Sequence, residues 1–257
     1  MVRINPVVIL AVFLLSSTTV GCLSSSDENS GIELMVNYEF TNGTIHETYV
    51  DGDLQSKSNV ILDFDFSKTS SEHELVSFGI DPNDGRSPIL VAAETSQTVS
   101  VEFSEHGIYH LDIFAVDEME SKEKLTIVVR IELNIEWNED TTNEPTSLEI
   151  DSIPKNGGPY PSMIIIDSDV ENPELIENVG GGREVEITWR LFDEAEDACL
   201  IRPTTVDEGE IANWKVHHRI TNEIHDLRIS YDSGQDYIDI DQSISILYEE
   251  VESPPNP

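Results

Sequence analysis

Basic residues are scarce in this chain. It has 14 lysines and arginines against 51 aspartates and glutamates in 257 residues, for a formal net charge of -37. Only 6 of the basic residues are lysine. This excludes a nucleic-acid surface, because phosphate contacts need clustered cations. It also excludes docking on anionic lipid through a basic patch. Cysteine is almost absent, with 2 in the chain, so no disulfide framework is available. After residue 21, no stretch of a dozen residues has a convincing 3.6-residue apolar period, so helices are not expected. The sequence has no G-x-S-x-G, P-loop or H-E-x-x-H, and no cysteine–histidine catalytic pairing. Enzymatic activity therefore has no positive support. What the chain does have is 38% hydrophobic residues, with acids scattered between them rather than gathered in one tail. That is the signature of a solvated outer face on a folded protein, not of a disordered polyanion.

The N-terminus has a short end carrying Arg3, the apolar run Val7–Leu15, then small residues up to Gly21 and Cys22. These are the parts of an export signal over residues 1–21, too short for a membrane span of roughly 20 apolar residues. Val20-Gly21-Cys22 resembles a lipobox, in which the signal is removed and the new terminal Cys22 is acylated; Thr19 departs from the usual apolar residue. Three readings stay open: a lipid-anchored lipoprotein, an uncleaved signal anchor, and a secreted protein cut elsewhere. The polar stretch 22–31 reads as a flexible tether. On the first reading the protein is exported and held at the outer face of the cell membrane, and its partners are that membrane and a surface protein or glycan. Cys199, between apolar neighbours in ACLIRP, reads as a small core residue.

From residue 32 onward, period-two alternation recurs between turn clusters. LMVNYEF and TIHETYV flank Asn42-Gly43, which reads as a hairpin turn presenting the Asn42-Gly43-Thr44 glycosylation sequon at its tip. Further strands are expected at 60–66, 74–80, 98–103, 108–116 and 124–135. The acidic stretch 137–147 reads as a linker. Strands resume at 148–153, 162–167, 184–192, 213–220, 224–231 and 237–248, with long loops such as 170–182. The expected fold is all-β, with two antiparallel β-sandwich domains, at 32–136 and 148–250, and a frayed proline-rich tail at 251–257.

Residues 60–133 carry one family resemblance. Asp65-Phe66-Ser67 with Ser70-Ser71, then Val76–Gly79 through Asp84-Gly85, lead to Phe103, Gly107, Tyr109, Leu111, Ile113, Ala115 and Asp117. This resembles the PKD (polycystic-kidney-disease type) domain, an immunoglobulin-like sandwich, although the central W-D-F-G-D-G motif lacks its Trp. Within it, Glu105-x-Gly107-x-Tyr109 has the spacing of a tyrosine corner. The resemblance implies a non-catalytic module for adhesion, binding or spacing on a cell-surface protein.

No metal ligand is assigned and no cofactor is expected, structural calcium being the one option kept. Asp81–Gly85 and the Asp232, Asp236, Asp239, Asp241 stretch are oxygen-rich. An EF-hand count from each, however, reaches Ala92 and Ser243 where Glu is needed. His217 and His218 are adjacent and so face opposite sides of a strand. Trp189 alternates with Ile187 and Leu191 and reads as core. Trp214, flanked by Asn213 and Lys215, is the candidate ligand contact of a solute- or glycan-binding site in the second half, near the 170–182 loop.

Overall fold

In the computed structural model, residues 31–174, 183–234 and 237–257 are described. The signal, Cys22, most of the tether and most of the 170–182 loop therefore lie outside the described residues. Among the described residues every regular element is a strand. The first half contains β1 (Ile32–Glu33), β2 (Asn42–Val50), β3 (Asp53–Ser58), β4 (Val60–Asp65), β5 (Ser70–Ser71), β6 (Leu75–Asp81), β7 (Ile89–Ala92), β8 (Thr98–Phe103) and β9 (Gly107–Asp117). Then come β10 (Lys122–Thr142), β11 (Leu148–Asp151), β12 (Met163–Glu171) and β13 (Val185–Phe192). The last are β14 (Ala198–Val206), β15 (Ile211–His218), β16 (Ile224–Ser233) and β17 (Ile238–Leu247).

The organising element is β10. At 21 residues it extends about 70 Å. Its residues 122–131 pair with β9, and residues 133–142 pair with β17 further along the chain. One nine-stranded sheet therefore runs in the order β15-β12-β17-β10-β9-β6-β7, with β2 parallel to β10 on the other edge and β3 beside β2. The β4–β8 pair and the four-stranded sheet β11-β16-β13-β14 complete the sandwich. Residues 31–257 form one compact unit. The odd-numbered residues Ile127, Val129, Ile131, Leu133, Ile135 and Trp137 of β10 are all buried, so one strand face lines the core continuously.

Several expectations are corrected. Residues 137–142 are not linker but the end of β10, and Trp137 and even Glu139 are buried there. Of the acids that suggested a linker, Asp140 points outward while Glu139 is turned inward. The Glu139 carboxylate accepts from the Thr146 amide at 3.0 Å, which is how a charge is tolerated at the end of the apolar row. Asn42-Gly43 is not a turn. Both residues lie in β2 opposite Arg130 and Ile131, and Gly43 is needed because a Cβ there would come within 2.5 Å of Val60 Cγ1. The hairpin turn falls at Asp51-Gly52, between paired Val50 and Asp53, with φ of 51° and 83°. Two consecutive positive φ values are what a two-residue type I′ turn demands.

The tail at 251–257 is not frayed. The Ser253 amide donates to Val128 O at 3.0 Å, Asn256 and Tyr38 exchange backbone hydrogen bonds, and Glu252 takes a bidentate contact from Arg130. The tail lies along β10 beside β2 and covers edge groups that would otherwise be unpaired. Edge strand β14 went unnoticed in the sequence because Pro203 sits in its middle, a position only an edge strand accepts.

The tyrosine corner is present: Tyr109 Oη donates to Glu105 O at 2.7 Å. Tyr109, Leu111, Ile113 and Ala115 are buried together while His110 faces solvent. Asp117, last of that motif, is buried and accepts from the Met119 and Ser121 amides at 3.0 and 2.9 Å, fixing the turn into β10.

Candidate functional site

The outward face of the large sheet in its second half carries two rows of polar side chains with shared orientation. Register puts Lys215, Asp167, Ser243 and Glu136 in one row across β15, β12, β17 and β10, and Asn213, Asp169, Asp241 and Asn138 in the next. Period two explains this. The alternate residues Ile164, Ile166, Ile240, Ile244 and Ile246 point into the core, so the acids between them must point out. The side chains are already ordered among themselves. Asn213 Nδ2 donates to Asp167 at 2.7 Å and Asp169 at 2.8 Å, Lys215 Nζ to Asp167 at 2.6 Å, Ser243 Oγ to Glu136 at 3.0 Å, and Asn138 to Asp241. The Lys215 hydrogen bond, then that of Asn213, hold the Asp167 carboxyl below its ordinary range. A shallow open trough of about 560 Å³ lies over these residues. It offers carboxylate acceptors beside amide and ammonium donors, a combination matched by ligand hydroxyls, which both donate and accept.

Trp214, the expected ligand contact, does not belong to this face. Its side chain is 6% exposed and packs against Trp189, with ring centroids 5.9 Å apart. Its flanking polar residues Asn213 and Lys215 are the exposed ones, so the alternation was present but assigned to the wrong face. Trp189 is core as expected, and its indole N–H donates to Ser168 Oγ at 2.9 Å. Asn42 is exposed, and its amide donates to Glu252 at 3.0 Å. Cys22 lies outside the described residues.

In the Asp81–Gly85 turn, the Asp81 and Asp84 carboxylates accept from the amides of Asn83 and Arg86, and Asp84 also pairs with the Arg86 guanidinium. These are the local bonds of an Asx turn. Asp232, on β16, accepts from Thr188, while Asp239 and Asp241, both on β17, accept from the Thr141 amide and from Asn138.

A second cluster had no signal in the sequence. Cys199 is exposed rather than core. Its Sγ and one nitrogen each from His218 and His225 lie within 4.8 Å of one another. The imidazoles meet edge to face with centroids 4.6 Å apart. His217 faces away from His218 as its adjacency on a strand requires, and the fold brings His218 to His225, seven residues on across the β15–β16 turn. Burial, then His225, depress the His218 pKa, favouring the neutral ring. Burial first, then the charges of Asp193 and Glu223, raise that of the Cys199 thiol.

No family model matches the chain, the PKD domain included, and no curated protein matches it. Among solved structures, one similar chain comes from work on the promiscuous specificity of carbohydrate-binding modules of the β-sandwich superfamily. It shares 10% identity over 88% of this chain and 95% of that one, with a TM-score of 0.31. Another is CBM51-2 in complex with GlcNAc and INT domains from Clostridium perfringens ZmpB, at 9% identity over 86% of this chain and 49% of that one, with a TM-score of 0.26. The chicken CNTN1 FN1–FN3 domains follow at 11% identity over 83% and 66%, with a TM-score of 0.22.

Proposed function

We propose that this chain is a non-enzymatic, exported binding protein, anchored at the cell surface through Cys22, that presents the polar face of its long sheet to a polyhydroxylated ligand such as a glycan. The observation that carries the reading is the pair of side-chain rows holding Asp167, Asp169 and Asp241 beside Asn213, Lys215 and Asn138. Their donors and acceptors are set in place before any ligand arrives, which lowers the ordering cost of binding. Each carboxylate is already matched by an amide or ammonium donor, which favours hydroxyls over a free cation as the ligand. Residues 60–133 serve in this reading as a PKD-like supporting module, supported by the tyrosine corner at Tyr109. The continuous strand β10 makes the two halves a stiff unit suited to holding that face away from the membrane.

The test is a glycan array probed with the full chain and with the double variant Asp167→Ala/Asp241→Ala. Binding by the first, reduced roughly 100-fold in the second by loss of two charge-assisted hydrogen bonds, is expected. Binding unchanged in the double variant, or no binding by the full chain, rejects the reading. For the anchor, mass spectrometry of the mature protein should find an acyl group on Cys22; an intact residue 1 rejects it.

A further inference from the structure

At the end of β13, Leu191 pairs with Leu200 but the next residue, Phe192, pairs with Ala198. Cys199 is thus the extra residue of a β-bulge with no cross-strand partner. Bulges re-aim side chains, and this one turns Cys199 toward the ends of the two neighbouring elements that carry His218 and His225. The ends of three successive strands, β14, β15 and β16, therefore deliver one soft sulfur and two imidazoles to the same small volume.

The two histidines are prepared in different ways. His225 is fully buried, and one ring nitrogen, Nε2, donates to Ile220 O at 2.9 Å. Its Nδ1 lies 3.4 Å from Phe192 O, a long contact, so the shorter Nε2 bond favours the tautomer whose Nδ1 lone pair is available to a metal while a backbone carbonyl holds the ring. His218 is 7% exposed, and its buried Nε2 has no hydrogen-bond partner. A buried polar nitrogen left unsatisfied costs roughly 1–3 kcal/mol, so its retention calls for something that occupies it. Negative charge close by is supplied by Glu223, whose carboxylate is 3.9 Å from His225 Nε2.

We propose that Cys199, His218 and His225 bind one thiophilic transition-metal ion per chain, of the zinc(II) class, with the fourth position open to solvent at the exposed Cys199 side. Tetrahedral zinc with bonds of about 2.0–2.3 Å needs ligand atoms about 3.3–3.8 Å apart. The three ligand atoms lie within 4.8 Å of one another, so reaching that range requires them to draw together by up to about 1.5 Å, with Cys199 Sγ giving up its 3.1 Å bond to Leu191 O. Two imidazoles and a thiolate match a borderline-soft ion, not calcium or magnesium, which require oxygen ligands. Binding forms one metal–sulfur and two metal–nitrogen bonds and releases the thiol proton to water, with no change of oxidation state. The site lies on the four-stranded sheet and at its junction with β15, separate from the outward polar face, and does not depend on glycan binding.

The experiment is titration of the metal-stripped full chain with cobalt(II), followed by displacement with zinc(II). One equivalent of cobalt should bind with a thiolate-to-metal charge-transfer band, and zinc should bleach it. Cys199→Ser, at an exposed position, should abolish the band and weaken binding by roughly 100-fold. His218→Gln, which keeps the bulk of the side chain, should weaken binding at least about tenfold. Cys22→Ser should change neither. Failure of the full chain to bind cobalt at micromolar concentration, a band that survives Cys199→Ser, or one lost in Cys22→Ser would each overturn the proposal.

Discussion

Under the first half of β10 the core is rich in aromatics, with Phe66 stacked on Phe78 at 4.7 Å and Phe103 meeting Tyr109 edge-on at 4.8 Å, and its buried polar groups include His106 and Asp117. Under the second half the core is mostly isoleucine around Trp189 and Trp214, and it admits Ser168, Thr188, Gln242, His218 and His225. Interior polar groups lower stability unless they are bonded, and most of these are; His218 Nε2 and Gln242 Oε1 are not. The first half is packed chiefly around aromatic side chains. The second half holds both the ordered polar face and the unsatisfied imidazole.

The sharpest way to break that comparison is to ask whether the halves fold separately. Trp189→Ala removes a fully buried indole and its bond to Ser168 and should cost about 3–5 kcal/mol. Because β10 is shared, denaturant unfolding of this variant should remain a single transition, with Phe and Trp signals coincident. Two separated transitions would show that the continuous sheet does not couple the halves.

Tyr109→Phe sharpens the structural side of the comparison. It deletes only the hydroxyl bonded to Glu105 O, and a loss of about 1 kcal/mol, read as a lower Tm, is expected. An unchanged Tm would mean the tyrosine corner is incidental to the first half.

The smallest expected effect concerns the C-terminal segment. Arg130 holds the Glu252 carboxyl down to about 2. A carboxyl with a depressed folded pKa stabilises the fold above its unfolded value, and that stabilisation is lost as pH falls toward the folded value. Stability should therefore decline between roughly pH 4.5 and 2, by about 0.5 kcal/mol from this pair once solvent screening is allowed for. Glu252→Gln should flatten that part of the profile; an identical acid profile would show that the tail contact contributes nothing.

Much of the fold was legible because a strand buried on one side writes itself in alternation. β6, β8, β9 and β17 were all expected near their observed bounds. Alternation is blind to partners, however. It could not show that residues 124–135 continue through the acidic stretch to Thr142, since a strand polar on its outer face and a linker share that composition. For Trp214, alternation with Asn213 and Lys215 was correctly present, but only the pairing of β15 with β12 decides which side is the core. The ordered polar face was invisible for the related reason that acids at one residue in five occur everywhere; only register sets Asp167 opposite Lys215.

By itself the sequence determined that this protein is an acidic all-β sandwich with a tyrosine corner at Tyr109 and apolar residues on one face of each strand. Those properties are local, fixed by side-chain period and turn chemistry within about ten residues. The tertiary structure alone decided the continuity of β10, the burial of Trp214 and the meeting of Cys199, His218 and His225. Each of these depends on which strands pair and in what register, and that is settled by burying the core as a whole.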